Sequence, residues 1–310
     1  MEISSLMAAM PGSFSQGVLW GMMVIGVYIT FRLLDIADMT CDGSFALGGC
    51  VSAVLIVTYG VNPIVAILIA ILAGMAAGFI TGFLHTIFDI PAILAGILTQ
   101  YSLWSINLRI MGGKSNVPLL NVDTLFTGLV EKTGLKNAYV SLFIGAILAV
   151  IVIFILYWFF GTELGAALRA TGNNEDMIRA LGVDTKKTKM IGLMLSNGLI
   201  ALSGALIAQS QKYADISMGT GAIVIGLASI VIGEVLLGRL KSFGSKLSSV
   251  VIGCIVYMAI RAIVLWLGLD SNDMKLISAI IVALALALPV ALSKYRIKKA
   301  YTPDGGEKAC

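Results

Sequence analysis

Nine apolar stretches alternate with short polar breaks along the 310 residues. They run about 12–31, 44–60, 64–84, 90–111, 139–160, 188–210, 220–238, 247–268 and 274–293, the second and seventh being short and Gly-rich. A bilayer core takes roughly 20 apolar residues per helix. The pattern therefore predicts an all-α polytopic membrane protein with about nine transmembrane helices. Between the stretches lie only loops of under about 30 residues, so 1–310 reads as a single transmembrane domain, closed by a short tail at 301–310.

One break is unlike the others. Residues 161–187, GTELGAALRATGNNEDMIRALGVDTKK, are polar and helix-forming, and stand between two membrane-length runs. Gly172, Asn173 and Asn174 offer a break and a cap, and Glu175 and Asp176 fall in the first turn, where the helix dipole favours acids. Met177, Ile178, Ala180 and Leu181 form an apolar stripe beside Arg179, and Gly182 supplies a stop. The spacing predicts a short amphipathic helix over 173–183, held on the membrane surface as a peg for a partner protein. The plainer reading is a solvated connector.

Composition and charge then fix the setting. Hydrophobic residues make up 58%, charged residues 12%, and the mean hydropathy is +0.97. With the N-terminus outside, fourteen Lys and Arg fall in the inner loops and tail, against five at the outer side (Lys114, Lys132, Lys136, Lys212 and Lys275). This positive-inside bias predicts a cytoplasmic 161–187 loop and C-terminus. The net charge of +4 reflects that bias and implies no nucleic-acid partner. The N-terminus shows no basic n-region and no cleavage site of a removable signal. Cys41, Cys50, Cys254 and Cys310 have neither metal-ligand nor disulfide spacing.

An internal similarity adds mechanism. Asp38 to Ser52, DMTCDGSFALGGCVS, aligns without gaps with Asp215 to Ser229, DISMGTGAIVIGLAS. The leading Asp, the Gly49/Gly226 position and the closing Ser are shared, and Thr40/Ser217 is conservative. One copy enters its span from the predicted inner side, the other from the outer side. That predicts an inverted repeat, with a transport pathway between two halves. Asp38, Asp42, Gly43, Ser44 and Gly49 of one copy, and Asp215, Gly219, Thr220 and Gly226 of the other, are the candidate pathway residues, with Glu234 as a candidate gate. Each Gly can equally serve a broken helix or close helix packing.

Other readings of the polar residues stay open. Asp35, Asp38 and Asp42 suit a helix cap or interfacial carboxylates as well as solute contact, and Glu234 suits local pairing with Arg239. Gln100, Asn107, Asn197 and Gln209 could line a route or bond helices together. No G-x-x-x-x-G-K-[ST] phosphate loop occurs, and with one His no His-rich metal or catalytic cluster forms. The chain is expected to be no enzyme, to bind no metal and to carry no catalytic residue.

The 161–206 segment strongly resembles the coupling loop of bacterial ABC importer permeases of the branched-chain amino acid, ribose and simple-sugar superfamily. Gly165, Leu168-Arg169-Ala170-Thr171-Gly172, Asn174-Glu175 and Arg179-Ala180-Leu181-Gly182-Val183 carry the resemblance, which extends from about Arg32 to Lys294. The family more often has small residues where Asp176 and Met177 stand. The resemblance implies a multi-pass bacterial inner-membrane permease that imports a small solute by alternating access. It also implies a second permease copy, a cytoplasmic ATPase dimer that uses ATP and Mg while this chain binds no cofactor, and an extracytoplasmic substrate-binding protein. Arg32 to Asp38 and Asp42 to Phe45 look most like the branch whose binding proteins take tryptophan or tyrosine. An ion-gradient-driven secondary transporter is the competing reading; it would want a buried carboxylate or ion site near the membrane midplane, and the sequence offers no convincing one.

Overall fold

The computed structural model of the chain describes residues 3–268, apart from 121 and 238–241, and isolated positions between 276 and 287. The helices are α1 (Ile3–Tyr28), which ends in a π-turn at Ile29–Leu33, α2 (Cys41–Tyr59), α3 (Pro63–Thr86) and α4 (Ala92–Ile110). Then follow α5 (Thr127–Thr133), α6 (Asn137–Gly161), α7 (Glu163–Asn173), α8 (Glu175–Ala180), α9 (Thr185–Gln211), α10 (Ala222–Leu237) and α11 (Phe243–Trp266). Two short strands, β1 (Asn116–Pro118) and β2 (Tyr213–Asp215), pair antiparallel with Asn116 opposite Asp215.

The helices coincide with the first eight apolar stretches. Among the described residues six are long and apolar enough to cross a membrane: α1 with its π-turn, α2, α3, α6, α9 and α11. Two of the predicted nine fall short, and each for a visible reason. In α4 the residues Gln100, Asn107 and Arg109 dilute the apolar run. In α10 the helix has only 16 residues, because 216–221 are turns and Gly221 takes φ +85° before helical geometry begins. The ninth stretch, 274–293, lies outside the continuously described residues.

Helices α1, α2 and α9 form the centre of the bundle, with 83%, 72% and 72% of their apolar windows buried. The peripheral α3, α6 and α11 bury 44% or less. Small residues set the central spacing. Gly48 rests on the backbone of Ala201, and Gly204 on that of Phe45, so a side chain at either would drive α2 and α9 apart.

A polar node lies at the middle of this apolar core. Asn197 is the thirteenth of the 27 residues of α9, halfway along roughly 40 Å of helix. Its Nδ2 donates to Asp38 Oδ2 at 2.7 Å, and its Oδ1 accepts from Ser44 Oγ at 2.6 Å. Thr40 N donates to Asp38 Oδ1 at 2.9 Å, while the Thr40 and Thr81 hydroxyls pair at 2.7 Å. Asp38, Ser44 and Asn197 are at most 2% exposed. Burying a carboxylate is tolerable only with such partners. The node draws the 34–40 segment inward, so α2 starts deep in the bundle rather than at its rim.

Replacing Asn197 with Leu leaves Asp38 and Ser44 without their shared partner. The expected loss is roughly 3 kcal/mol of stability, read as a lowered melting temperature in detergent. Removing both groups in Asp38→Leu/Asn197→Leu should recover part of it. A single variant that melts with the wild type would refute the node's role.

Candidate functional site

Two regions collect the sequence-predicted residues: a junction at mid-bundle and a surface at the end where α7 and α8 lie. At the junction, the start of α2 meets the start of α10. Asp42, in the first turn of α2, caps α10. Its Oδ2 accepts from Gly221 N at 2.8 Å and its Oδ1 from Ile223 N at 3.1 Å. A carboxylate here satisfies orphan amides and meets the positive end of the helix dipole. Asp42 is therefore a helix cap, as one of the readings of the sequence had it, but of α10 rather than of its own helix, and it ties the two halves of the chain together. Gly219 packs on the Asp42 backbone, Gly49 on Met218, Gly43 on Leu103 and Gly226 on Val27. The four candidate glycines of this junction thus act through close approach.

The two aligned segments share one local geometry. Asp38 Oδ1 accepts from Thr40 N at 2.9 Å, and Asp215 Oδ1 accepts from Ser217 N at 2.7 Å and from the Ser217 hydroxyl. Each Asp thus forms a turn two residues long just ahead of a helix. Asp215 lies beside Asn116 at the β1–β2 pair, outside the spans.

Beside the junction is a cavity of about 60 Å³, lined by Asp42, Gly43, Gln100, Trp104, Asn107 and Thr220. Asn107 is 1% exposed; its Nδ2 donates to Gly43 O at 3.5 Å while its Oδ1 has no partner. Ser44 lies instead in the Asn197 node, and Gln209 bonds Ser52 and Leu125 N, which makes both structural. Trp104 is the residue that sequence reasoning missed. Gln100, Trp104 and Asn107 follow the i, i+4, i+7 spacing of one helix face, a signal present in the sequence.

At the other region Glu234 is bonded to Arg32 in the π-turn, 2.5 Å apart, with both partly exposed. The expected pairing with Arg239 lies outside the described residues. Arg32 is brought there because the π-turn adds a residue to the helical repeat and re-aims its side chain.

The 161–187 loop carries two helices. Thr162 caps α7 by accepting from Gly165 N at 3.3 Å, and Arg169 donates to Phe160 O and lies over the Phe243 ring. Gly172 is not a break. It sits inside α7, where it touches the backbone of Leu33 with no room for a side chain. The break falls at Asn174, whose Oδ1 accepts from Met177 N at 3.0 Å, so Asn173 ends α7 and the expected 173–183 helix shortens to α8. Gly182 takes φ +85° just beyond it. Glu175 accepts from Lys189 Nζ at 2.5 Å, Arg179 at 2.9 Å and Thr185 at 3.0 Å, which pins α8 to the start of α9. Asp176 and Ala180 are exposed. Ile178 is buried within the chain, so the outward apolar face reduces to Met177 and Leu181, 49% and 72% exposed. The stripe splits because α8 leans on its own bundle, and one side chain must fill that contact.

The chain matches, over residues 10–300, the family described as branched-chain amino acid transport system / permease component. It is similar to a tyrosine transport system permease protein of Clostridioides difficile, 41% identical over 92% of this chain and 93% of that protein. An uncharacterised protein of Rickettsia prowazekii is 34% identical over 89% of this chain and 95% of its own length. A ribose import permease protein of Escherichia coli is 26% identical over 44% of this chain and 42% of its own.

The hydrogen bond from Lys189 holds the Glu175 carboxyl below its usual 4.5, against desolvation by partial burial, with the Thr185 hydrogen bond and the charges of Lys189 and Arg179 adding to the effect. A lowered value in the folded state gives stability that is fully present above 4.5 and is lost as pH falls through the lowered value. Glu175→Gln should therefore melt below wild type at pH 7, and the gap should close as pH drops below 4.5. A gap of constant size down to pH 3 would show that the carboxylate is not what pins α8.

Proposed function

The chain belongs to the permease family of branched-chain amino acid transport systems, and from that premise we propose how it works as the membrane subunit of an ATP-driven amino acid importer. ABC permeases are translocation components that act with an ATPase and a substrate-binding partner, and this chain is a multi-pass membrane member of that class. The finer reading is that α8 is the coupling helix. It docks a cytoplasmic ATPase dimer that carries ATP and Mg, while this chain carries neither.

The observation that carries the reading is the mounting of α8. Asn174 caps it, Glu175 clamps it to Lys189 and Thr185, and Ile178 anchors it inward. That leaves Met177 and Leu181 facing out on a rigid support. A solvated connector has no need of three separate attachments. Positive-inside placement supports an external N-terminus, with α7 and α8 in the cytoplasm. The matching turns at Asp38 and Asp215 support the inverted repeat.

The solute is an amino acid, and the tyrosine permease among its relatives favours an aromatic one. An extracytoplasmic binding protein delivers it, and a second copy of the permease completes the pathway. Exposed Phe143, Val150, Phe154 and Trp158 along α6 face lipid. A carrier driven by an ion gradient is not favoured by the family match.

Met177→Asp/Leu181→Asp tests the coupling surface. Each side chain contributes roughly 1.5–3 kcal/mol when fully desolvated against a partner. The double variant should insert normally, lose co-purification with the ATPase, and lose substrate-stimulated ATP hydrolysis. Retention of both at wild-type levels sinks the coupling role. The permease alone in liposomes should neither hydrolyse ATP nor accumulate tyrosine down an ion gradient.

A further inference from the structure

Resting on the importer reading, we propose that the junction cavity is the permease's own solute site, and that it recognises the α-ammonium group of an amino acid. The buried Asn107 supplies the first argument. Its amide nitrogen faces Gly43 O at 3.5 Å, an orientation that a flip would replace with two acceptors face to face. Oδ1 is thus a buried acceptor without a partner, on a residue that lines the cavity. An orphan acceptor at 1% exposure asks for a donor, not for another carboxylate or carbonyl.

Charge gives the second argument. Asp42 lines the same cavity, and among the described residues no basic side chain pairs with it. Backbone amides of α10 hold one side of its carboxylate, and each oxygen keeps a further acceptor position. A buried acceptor beside a half-buried anion selects a cationic donor over a neutral one. An ammonium group carries three N–H donors, which matches Asn107 Oδ1, Asp42 and the Thr220 hydroxyl.

Size gives the third. A volume of about 60 Å³ holds a few waters or an ammonium group, and not a whole amino acid. The rest of the solute must lie outside it, and Trp104, a lining residue that is 49% exposed, is the aromatic side chain within reach. An apolar or aromatic side chain suits that surface, and a sugar lacks the ammonium. The site thus admits amino acids as a class and favours those with flat or apolar side chains. Its position halfway along the bundle is where alternating access needs it.

The test uses the permease with its ATPase in lipid nanodiscs, with radiolabelled L-tyrosine as probe. Tyramine, which keeps the ammonium, should compete. 3-(4-Hydroxyphenyl)propanoate, which keeps only the carboxylate, should compete about ten- to hundredfold less well, the worth of one charged hydrogen bond. In proteoliposomes with the binding protein, Asn107→Leu should cut tyrosine uptake per inserted protein by a similar factor, and Thr220→Val by less. Equal competition by the two analogues, no binding of tyrosine, or wild-type uptake by Asn107→Leu each overturns the site; no binding would mean that the cavity holds a resident water only. If Asn107→Leu fails to insert, the analogue competition on the wild-type complex decides alone. Failure of the importer reading looks different: the wild-type complex then shows no ATP-dependent amino acid uptake at all.

Discussion

The bundle depends on one constraint, that the Asp38 carboxylate is buried halfway across an apolar core and must be satisfied there. Asn197 does most of this, with one amide serving both Asp38 and Ser44. The geometry has a wide consequence. By holding Asp38 inside, the node pulls the α1–α2 connection off the rim and makes α2 begin deep. Asp42, four residues on, can then reach the amides of α10. Without that depth the first turn of α10 would open onto lipid with free N–H groups, which a bilayer does not tolerate. Two acids with no basic partner among the described residues thus do the work that ion pairs do in soluble proteins. Each is matched to amide dipoles, which avoids bringing a second charge into the membrane.

Close approach is the complement of this polar economy. Helices in lipid gain little from the hydrophobic effect between them and rely on packing. Gly48 and Gly204 let α2 and α9 touch backbone to backbone. That contact brings Ser44 within 2.6 Å of Asn197. A larger residue at either Gly would open the node as well as the packing. The small residues and the hydrogen bonds are therefore one device.

Much of this was legible in the sequence. Apolar run length found eight helices in their places, because in a membrane each span must be continuous and greasy. The cap and acids of α8 were legible because capping chemistry is local. The facing of its stripe was not. Whether Ile178 or Leu181 points inward depends on how α8 leans against Lys189 and Thr185, fourteen and ten residues from Glu175. Gly172 misled for a similar reason. A glycine read locally is a break, whereas here it serves an approach to Leu33 far back in the chain. Arg32 and Glu234 are 202 residues apart, and nothing local announces their pairing. The Gln100, Trp104 and Asn107 face was written in the spacing, but only the junction gives that face a meaning.

These contacts also form an unbroken line from α8 to the cavity. Glu175 holds Lys189 and Thr185, and Thr171 on α7 bonds Thr188 on α9 at 3.0 Å. Gly172 presses on Leu33 in the π-turn, whose neighbour Arg32 holds Glu234 near the end of α10. At the far end of α10, Asp42 fixes the amides that border the cavity. Short polar contacts join α8 to α9, and a glycine with no slack joins α7 to the π-turn. The weak point in that line is the pair of Arg32 and Glu234, both partly solvated and hence worth little on their own. On the importer reading proposed above, a bond of modest strength at that position suits a permease that exchanges two arrangements, because a stronger one would lock α10 in a single state.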